Sequence, residues 1–194
     1  MAVLDWMGGE RSFTLAGPGV RLRPPRMTDH AEWSELRLRS RDFLQPWEPV
    51  WPADDLTRSA FRRRLSAYAR DMSADVAYPF FVFRAEDEAL MGGVTLSNLR
   101  RGVAQIAQLG YWCGQPFAGQ GHTTAAVRAV AGFAFERLGL HRVEAACIPA
   151  NDPSRKLLLR VGFQPEGMAR AYLKINGVWR DHLLFGMLAG DLNP

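Results

Sequence analysis

Apolar and polar residues change period several times along the chain, and each change marks an element. Val20 and Leu22 alternate with arginines in "GVRLRPPR", which predicts a first strand stopped by Pro24 and Pro25. The stretch "TDHAEWSELRLRSRDFL" predicts a helix. Trp33, Leu36 and Phe43 form its partial apolar stripe, and Asp29 followed by Glu32 has capping-box spacing. A second helix is predicted over "DLTRSAFRRRLSAYARDM", where Phe61, Leu65, Tyr68 and Met72 share one face with arginines opposite. "AYPFFVFRAE" and "ALMGGVTLSNL" predict two strands hairpinned about Asp87. "VAQIAQLGYWCG" predicts a third, reached through a turn at Arg100–Gly102.

A helix from about Thr123 to Leu138 comes next, with Gly139 where a C-cap is expected. "HRVEAACI" predicts a strand. In "NDPSRKLLLRVG", Asp152 suits an N-cap, Pro153 the first helical position and Gly162 the C′ position, so a short helix is predicted. "MARAYLKINGVWRDHLLFGML" predicts a closing hairpin turning at Asn176–Gly177. The order is β α α β β β α β α β β. Hairpinned strands followed by a strand–helix–strand crossover imply a mixed sheet in an α+β domain. No repeat, linker or low-complexity tract interrupts it, so residues 1–194 are expected to form a single domain.

Composition narrows the class. The 47% hydrophobic and 23% charged fractions are ordinary for a soluble globular protein, and no stretch approaches the ~20 apolar residues of a membrane span. "MAVLDWMGGE" has neither a basic nor an apolar leader region, so no signal peptide is expected. Cys113 and Cys147 are the only cysteines, which fits a reduced, cytoplasmic protein with both thiols in the core. The net charge of +4 suits an anionic partner, but charge alone does not decide which. The run Arg62–Arg63–Arg64 reads as a solvated helix face, and direct binding to nucleic acid or membrane is not expected. His30, His122, His141 and His182 share no ligand spacing, so no metal site is expected.

The stretch "QPFAGQGHTTAA" carries the candidate chemistry. As a dinucleotide fingerprint it fails, because Gly119 and Gly121 are followed by Thr124 where a third glycine belongs. As a P-loop it fails too, because Gly121–His122–Thr123 lacks the lysine. Two readings remain. Glycines between a strand and a helix can direct several backbone N–H groups into one concavity, at the positive end of the helix dipole, and so bind a pyrophosphate. They can equally form a turn that needs glycine conformations.

Taken with its neighbours the stretch says more. "LGYWCGQPFAGQGHTTAAV" followed by "NDPSRKLLLRVGF" resembles the GCN5-related N-acetyltransferase (GNAT) superfamily over nearly the whole chain. "FLQPWEPVWP", Asn151–Asp152–Pro153–Ser154, "GFQPEG" and "NGVWRDHLLF" are similar to its branch of RimJ/RimL-type ribosomal-protein alanine N-acetyltransferases. The resemblance implies the GNAT fold, a mixed, mostly antiparallel sheet of about seven strands flanked by about four helices. It implies acetyl-CoA as co-substrate. Gly119 and Gly121 would fill the fourth and sixth places of the pyrophosphate loop, with Pro116 in its first place, a departure that removes one N–H donor. Phe117, Ala118 and Gln120 complete that loop, and His122, Thr123 and Thr124 would open the helix behind it. Leu109, Gly110 and Tyr111 would pair with pantetheine as an added strand does. Asn151, Ser154 and Lys156 complete the implied coenzyme contacts, although Lys156 and Arg155 also fit a solvated helix face.

The implied reaction is attack of an amine on the acetyl thioester, which needs a neutral amine, an oxyanion donor and a proton for the leaving thiolate. A backbone N–H near Tyr111 is the expected oxyanion donor. The tyrosine that many members place seven residues after the motif asparagine is Leu158 here, so Ser154 is the candidate acid, or else only a local cap. Gln105 or Gln108 stands where a basic glutamate is often found, and Leu173 where another carboxylate would help. Glu48 could hold the substrate ammonium or act through water, or be a surface acid. Trp47 and Trp51 wall an acceptor groove or anchor a long loop, and Tyr172 is the remaining candidate for acceptor binding. A peptide α-amine near pKa ~8 is ~3 kcal/mol easier to deprotonate at pH 7 than lysine near ~10.4. The expected acceptor is therefore a protein N-terminus, with a ribosomal protein as the leading case. A small amine such as an antibiotic or amino acid, or a catalytically silent acyl-CoA-binding module, is the alternative. The chain is expected to act as a monomer or homodimer.

Overall fold

The computed structural model describes residues 13–192. The reading of the first ten residues lies outside them. Eight strands form one sheet in the order β1-β2-β3-β4-β5-β6-β8-β7. They are β1 (Leu15–Gly17), β2 (Val20–Arg23), β3 (Tyr78–Arg84), β4 (Leu90–Arg100), β5 (Ile106–Cys113), β6 (Arg142–Cys147), β7 (Gln164–Ile175) and β8 (Val178–Leu188). The helices are α1 (His30–Arg39), α2 (Arg41–Leu44), α3 (Arg58–Ser73), α4 (His122–Gly132) and α5 (Asp152–Val161). The strand beyond the expected seven is β1, three residues folded back on β2, and the extra helix is the single turn α2. The predicted first long helix is interrupted at the fully buried Ser40, with φ −101° and ψ 9°.

Alternation explains the two faces of the sheet. Val94, Leu96, Leu109, Val143, Phe185 and Met187 pack under α4 and α5 with Val127, Val130, Leu158 and Val161. On the other face Phe81, Phe83 and Leu90 pack against Trp33, Leu36 and Phe61 of α1 and α3. The predicted capping box at Asp29 does not form. Its carboxylate, buried, accepts from both terminal nitrogens of Arg23 at 2.8 Å and from the Arg26 amide at 2.7 Å, while Glu32 reaches the Leu90 amide. Tertiary partners for these carboxylates outcompete the local cap. At α5 the cap is Asn151, one residue before the expected Asp152, and its side chain accepts from the Ser154 amide at 3.1 Å. The last turns predicted for α4 exist but widen into a π-helical stretch, Phe133–Arg137, before Gly139 at φ +62°.

All pairings are antiparallel except that of β5 with β6, and this one is short. It joins Ile106–Gln108 to Arg142–Glu144 and then stops, although β5 continues to Cys113 and β6 to Cys147. The two strands part like a fork. Past Gln108, β5 keeps β4 on one side and, among the described residues, has an unpaired edge on the other. An extended chain can add itself to such an edge.

Candidate active site

The fork is where the predicted residues meet. Leu109, Gly110 and Tyr111 form its β5 side, and the Asn151–Ser154 turn opening α5 closes it from above. The Tyr111 phenol reaches across to Ser154, with 2.7 Å between the two hydroxyl oxygens. Burial pushes the Tyr111 phenol well above its ordinary value. It therefore stays protonated and can donate. Burial also pushes up the Cys147 thiol, which meets the Ser154 hydroxyl, and the Cys113 thiol, which meets that of Thr123. Neither thiol is an activated nucleophile. Since Asn151 satisfies the Ser154 amide, the Ser154 hydroxyl is spared from capping and faces Tyr111 instead.

Below the fork the chain makes a 3-10 turn, Gln115–Phe117, and enters α4 through Gly119 at φ +76° and Gly121 at φ +85°. These left-handed angles favour glycine, and a Cβ on either residue would point into open space. The first intrahelical bond runs from the Ala125 amide to the Gly121 carbonyl, so the amides of His122, Thr123 and Thr124 have no helical partner. Three donors without a partner among the described residues, at the positive end of an eleven-residue helix, suit a polyanion. Pro116 has no donor to add, but its carbonyl accepts from the Gln120 side-chain amide at 2.9 Å, which closes the loop. Phe117 is half-buried and Ala118 is extended and exposed. The loop hangs from α1, because the buried Ser40 hydroxyl accepts from the Gln115 amide at 2.9 Å and Leu36 packs on Gly114 so tightly that a Cβ would clash. Lys156 is exposed on α5, and Arg155 is paired with Asp152.

On the opposite face of β5 lies a cleft of about 340 Å³. Arg37 of α1, Glu48, Trp51, Asp55, Thr95 and Trp112 are among its walls. Sequence reasoning placed Glu48 here but missed Arg37. That guanidinium, only 7% exposed, gives two 2.7 Å bonds to the Glu48 carboxylate and stacks 4.1 Å from the Trp51 ring and 5.0 Å from that of Trp112. Trp51 adds a third 2.7 Å bond to Glu48 through its indole N–H. An arginine inside the apolar stripe of α1, beside Trp33 and Leu36, was the available signal. Trp47 stands outside the cleft on the surface, whereas Trp51 lines it. Tyr172, on β7, packs edge-on against His182 with ring centroids 5.7 Å apart. The Gln108 side-chain oxygen accepts from the Asn98 side-chain amide at 2.7 Å, and Gln105 stands just before β5 at φ +47°. Among the described residues no group of three or more His, Cys, Asp or Glu is placed to hold a metal ion.

A strand pair that opens into a fork, with an anion-ready helix start directly below it, is the geometry the family resemblance implies. Sequence comparison agrees, since the family model for the acetyltransferase (GNAT) domain matches residues 20–164. The chain belongs to the GNAT acetyltransferases. This GNAT chain is 38% identical to the protein named "Probable N-acetyltransferase YjcK" of Bacillus subtilis, over 91% of its own length and 98% of that protein's. It is 33% identical to the [ribosomal protein uS5]-alanine N-acetyltransferase of Escherichia coli, over 91% and 95% of the two chains. Among solved structures it resembles Mycobacterium smegmatis RimJ in complex with CoA-disulfide, with a TM-score of 0.86 and 34% identity over 94% and 89% of the two chains. The protein is thus an acetyl-CoA-dependent N-acetyltransferase related to the ribosomal-protein enzymes. Among the described residues no helix is long and apolar enough to cross a membrane.

Proposed function

We propose that this GNAT enzyme acetylates the N-terminal α-amine of a protein, with a ribosomal protein as the first candidate. The observation that carries this reading is the state of Glu48. Its charge is taken up by Arg37 and both its oxygens already accept bonds, so it serves as a fixed wall of the acceptor cleft. A cleft whose acid is neutralised suits an amine that loses its proton easily, and deprotonating an α-amine at pH 7 costs ~3 kcal/mol less than deprotonating lysine. The 33% identity to the uS5-alanine N-acetyltransferase supports the same acceptor class.

In this reading the coenzyme's pyrophosphate lies on the amides of His122, Thr123 and Thr124, between Gly119 and Gly121. The pantetheine arm pairs with the free edge Leu109–Tyr111 and runs past Asn151. The thioester carbonyl then sits at the end of the fork, where a backbone N–H beside Tyr111 receives the oxyanion. The amine attacks from the cleft through Gly110, whose missing side chain leaves the path open. The tetrahedral intermediate collapses, the C–S bond breaks, and the leaving sulfur takes a proton from the Ser154 hydroxyl. The Tyr111 phenol, kept neutral by burial, replaces that proton along the 2.7 Å bond and regains its own from solvent, to which the attacking amine has released its protons. Transfer is direct, in a ternary complex, since neither cysteine is activated.

The test is thiol release from acetyl-CoA with a panel of N-terminal peptides, lysine peptides and small amines. The expected result is turnover of peptides bearing a free N-terminus, with blocked N-termini silent. Turnover confined to lysine side chains would refute the acceptor assignment. Coenzyme binding with no turnover of any amine would identify a silent acyl-CoA module.

A further inference from the structure

His182 is the one buried histidine among the described residues, and the steps above do not use it. Its place follows from the strand. Phe185 and Met187 lie in the core under α4 and α5, and Leu183 packs against them. By alternation His182 and Leu184 turn to the other face, the face on which Thr95 and Trp112 line the acceptor cleft. Along the strand, β8 pairs with β6 as far as Cys147 and Leu183, and Cys147 is the residue whose thiol meets Ser154. His182 is the next residue past that pair. It therefore stands level with the Tyr111–Ser154 contact, one strand away from the opening of the fork, on the side from which the amine must come.

The ring is also oriented. Nδ1 lies 3.0 Å from the Arg180 carbonyl oxygen, which can only accept, so Nδ1 carries the proton. In the neutral ring the lone pair is then on Nε2, which meets no hydrogen-bond partner among the described residues. Tyr172 packs edge-on and fixes the ring plane. The charged neighbours do not compete for it. Asp181 points to the opposite face and accepts the Ala171 amide, Glu48 on the adjoining loop is paired with Arg37, and Glu144 on β6 is paired with Arg142. Arg180 on its own strand, with Arg170 and Lys174 on β7, is solvent-exposed.

We propose that His182 is the proton acceptor of the transfer, a role that rests on the acetyltransferase reading above. Its Nε2 takes one proton from the acceptor ammonium and passes it to solvent. The neutral amine attacks, Nε2 takes the second proton from the nitrogen of the tetrahedral intermediate, and as the C–S bond breaks the sulfur gains the proton that Ser154 gives up and Tyr111 restores. The proton on Nε2 returns to Tyr111 through solvent, and the coenzyme departs as the free thiol. A neutral imidazole nitrogen is a general base suited to an amine that releases its proton readily, so this base also favours the acceptor class.

The test compares wild type with His182→Asn and His182→Gln, using acetyl-CoA and a peptide with a free N-terminal alanine. Asparagine keeps a donor for the Arg180 carbonyl but offers no basic nitrogen. At neutral pH kcat/KM is expected to fall about 100-fold or more in both variants. It should recover with rising pH as free amine accumulates, while acetyl-CoA affinity and melting temperature stay close to wild type. Full activity in His182→Asn, or a loss of turnover matched by an equal loss of coenzyme affinity, would overturn the role of His182 and leave the parent reading standing. A wild-type protein that binds acetyl-CoA but acetylates no amine would overturn both.

Discussion

Replacing Arg37 by methionine tests the acceptor cleft most directly, because it removes the cation while keeping an unbranched apolar stem. Deleting one member of a buried ion pair costs ~3–5 kcal/mol. Glu48 is 19% exposed and keeps its bond from Trp51, so about half of that is expected here, ~2 kcal/mol. The stacking on Trp51 and Trp112 adds ~0.5–1 kcal/mol. In the other direction, the buried Arg37 Nε has no hydrogen-bond partner among the described residues, and its removal returns ~1 kcal/mol. The net loss is ~1.5–2 kcal/mol, a fall in Tm of ~3–8 °C for a chain of this length. Glu48→Gln should destabilise less, since its amide oxygen still accepts from the guanidinium. The double variant should be more stable than the sum of the singles by ~1 kcal/mol or more. Urea and thermal unfolding of the four proteins measure this cycle. In peptide assays the single variants should raise KM far more than they lower kcat, as expected of a wall that binds without reacting. A coupling below ~0.3 kcal/mol would refute the idea that the pair shapes the cleft.

The hydroxyl pair makes a kinetic and an alkaline prediction. Tyr111→Phe and Ser154→Ala should each slow thiol release by about 10- to 100-fold, and the double variant by little more than either, because both serve one proton path. The Tyr111 phenol titrates higher folded than unfolded, so its stabilising contribution is present below pH ~10 and is lost as the pH climbs above it. Wild type should therefore lose stability above pH ~10 in a way that Tyr111→Phe does not, as read from unfolding midpoints between pH 8 and 11. At the coenzyme loop, Gly121→Ala forces a Cβ onto φ +85° and into the open cradle. It should cost ~1 kcal/mol of stability and weaken acetyl-CoA binding by about tenfold or more, measured by equilibrium dialysis. Unchanged coenzyme affinity would remove Gly121 from the cradle.

The elements that local patterning specifies were legible in the sequence. The Asn176–Gly177 turn, with φ of +44° and +78°, and the glycine entry to α4 are dictated by residues that stand side by side. What the sequence left open depends on contacts between distant residues. Asp29 looked like a helix cap, but its carboxylate goes to Arg23 across a proline corner. Glu48 looked like an available acid because its partner lies eleven residues earlier on α1. Tyr111 was expected to offer a backbone amide, yet its phenol reaches Ser154, 43 residues onward. His182 had no metal-ligand spacing, and its sequence neighbours gave no hint of the fork beside it. Pairing register, which decides what meets at that fork, is a property of the whole sheet.

One turn of α1 sets Leu36 against Gly114, Arg37 against Glu48, and Ser40 against the Gln115 amide. The coenzyme loop and the acceptor wall, which approach the thioester from opposite sides, thus share a single mount. Their spacing is a length of helix, about 1.5 Å for each residue between the anchors. Neither side can be retuned through α1 without shifting the other. Diversification towards new acceptors is left to side chains that this mount does not hold, such as Leu173, Val178 and Trp179, bare to solvent on the β7–β8 hairpin.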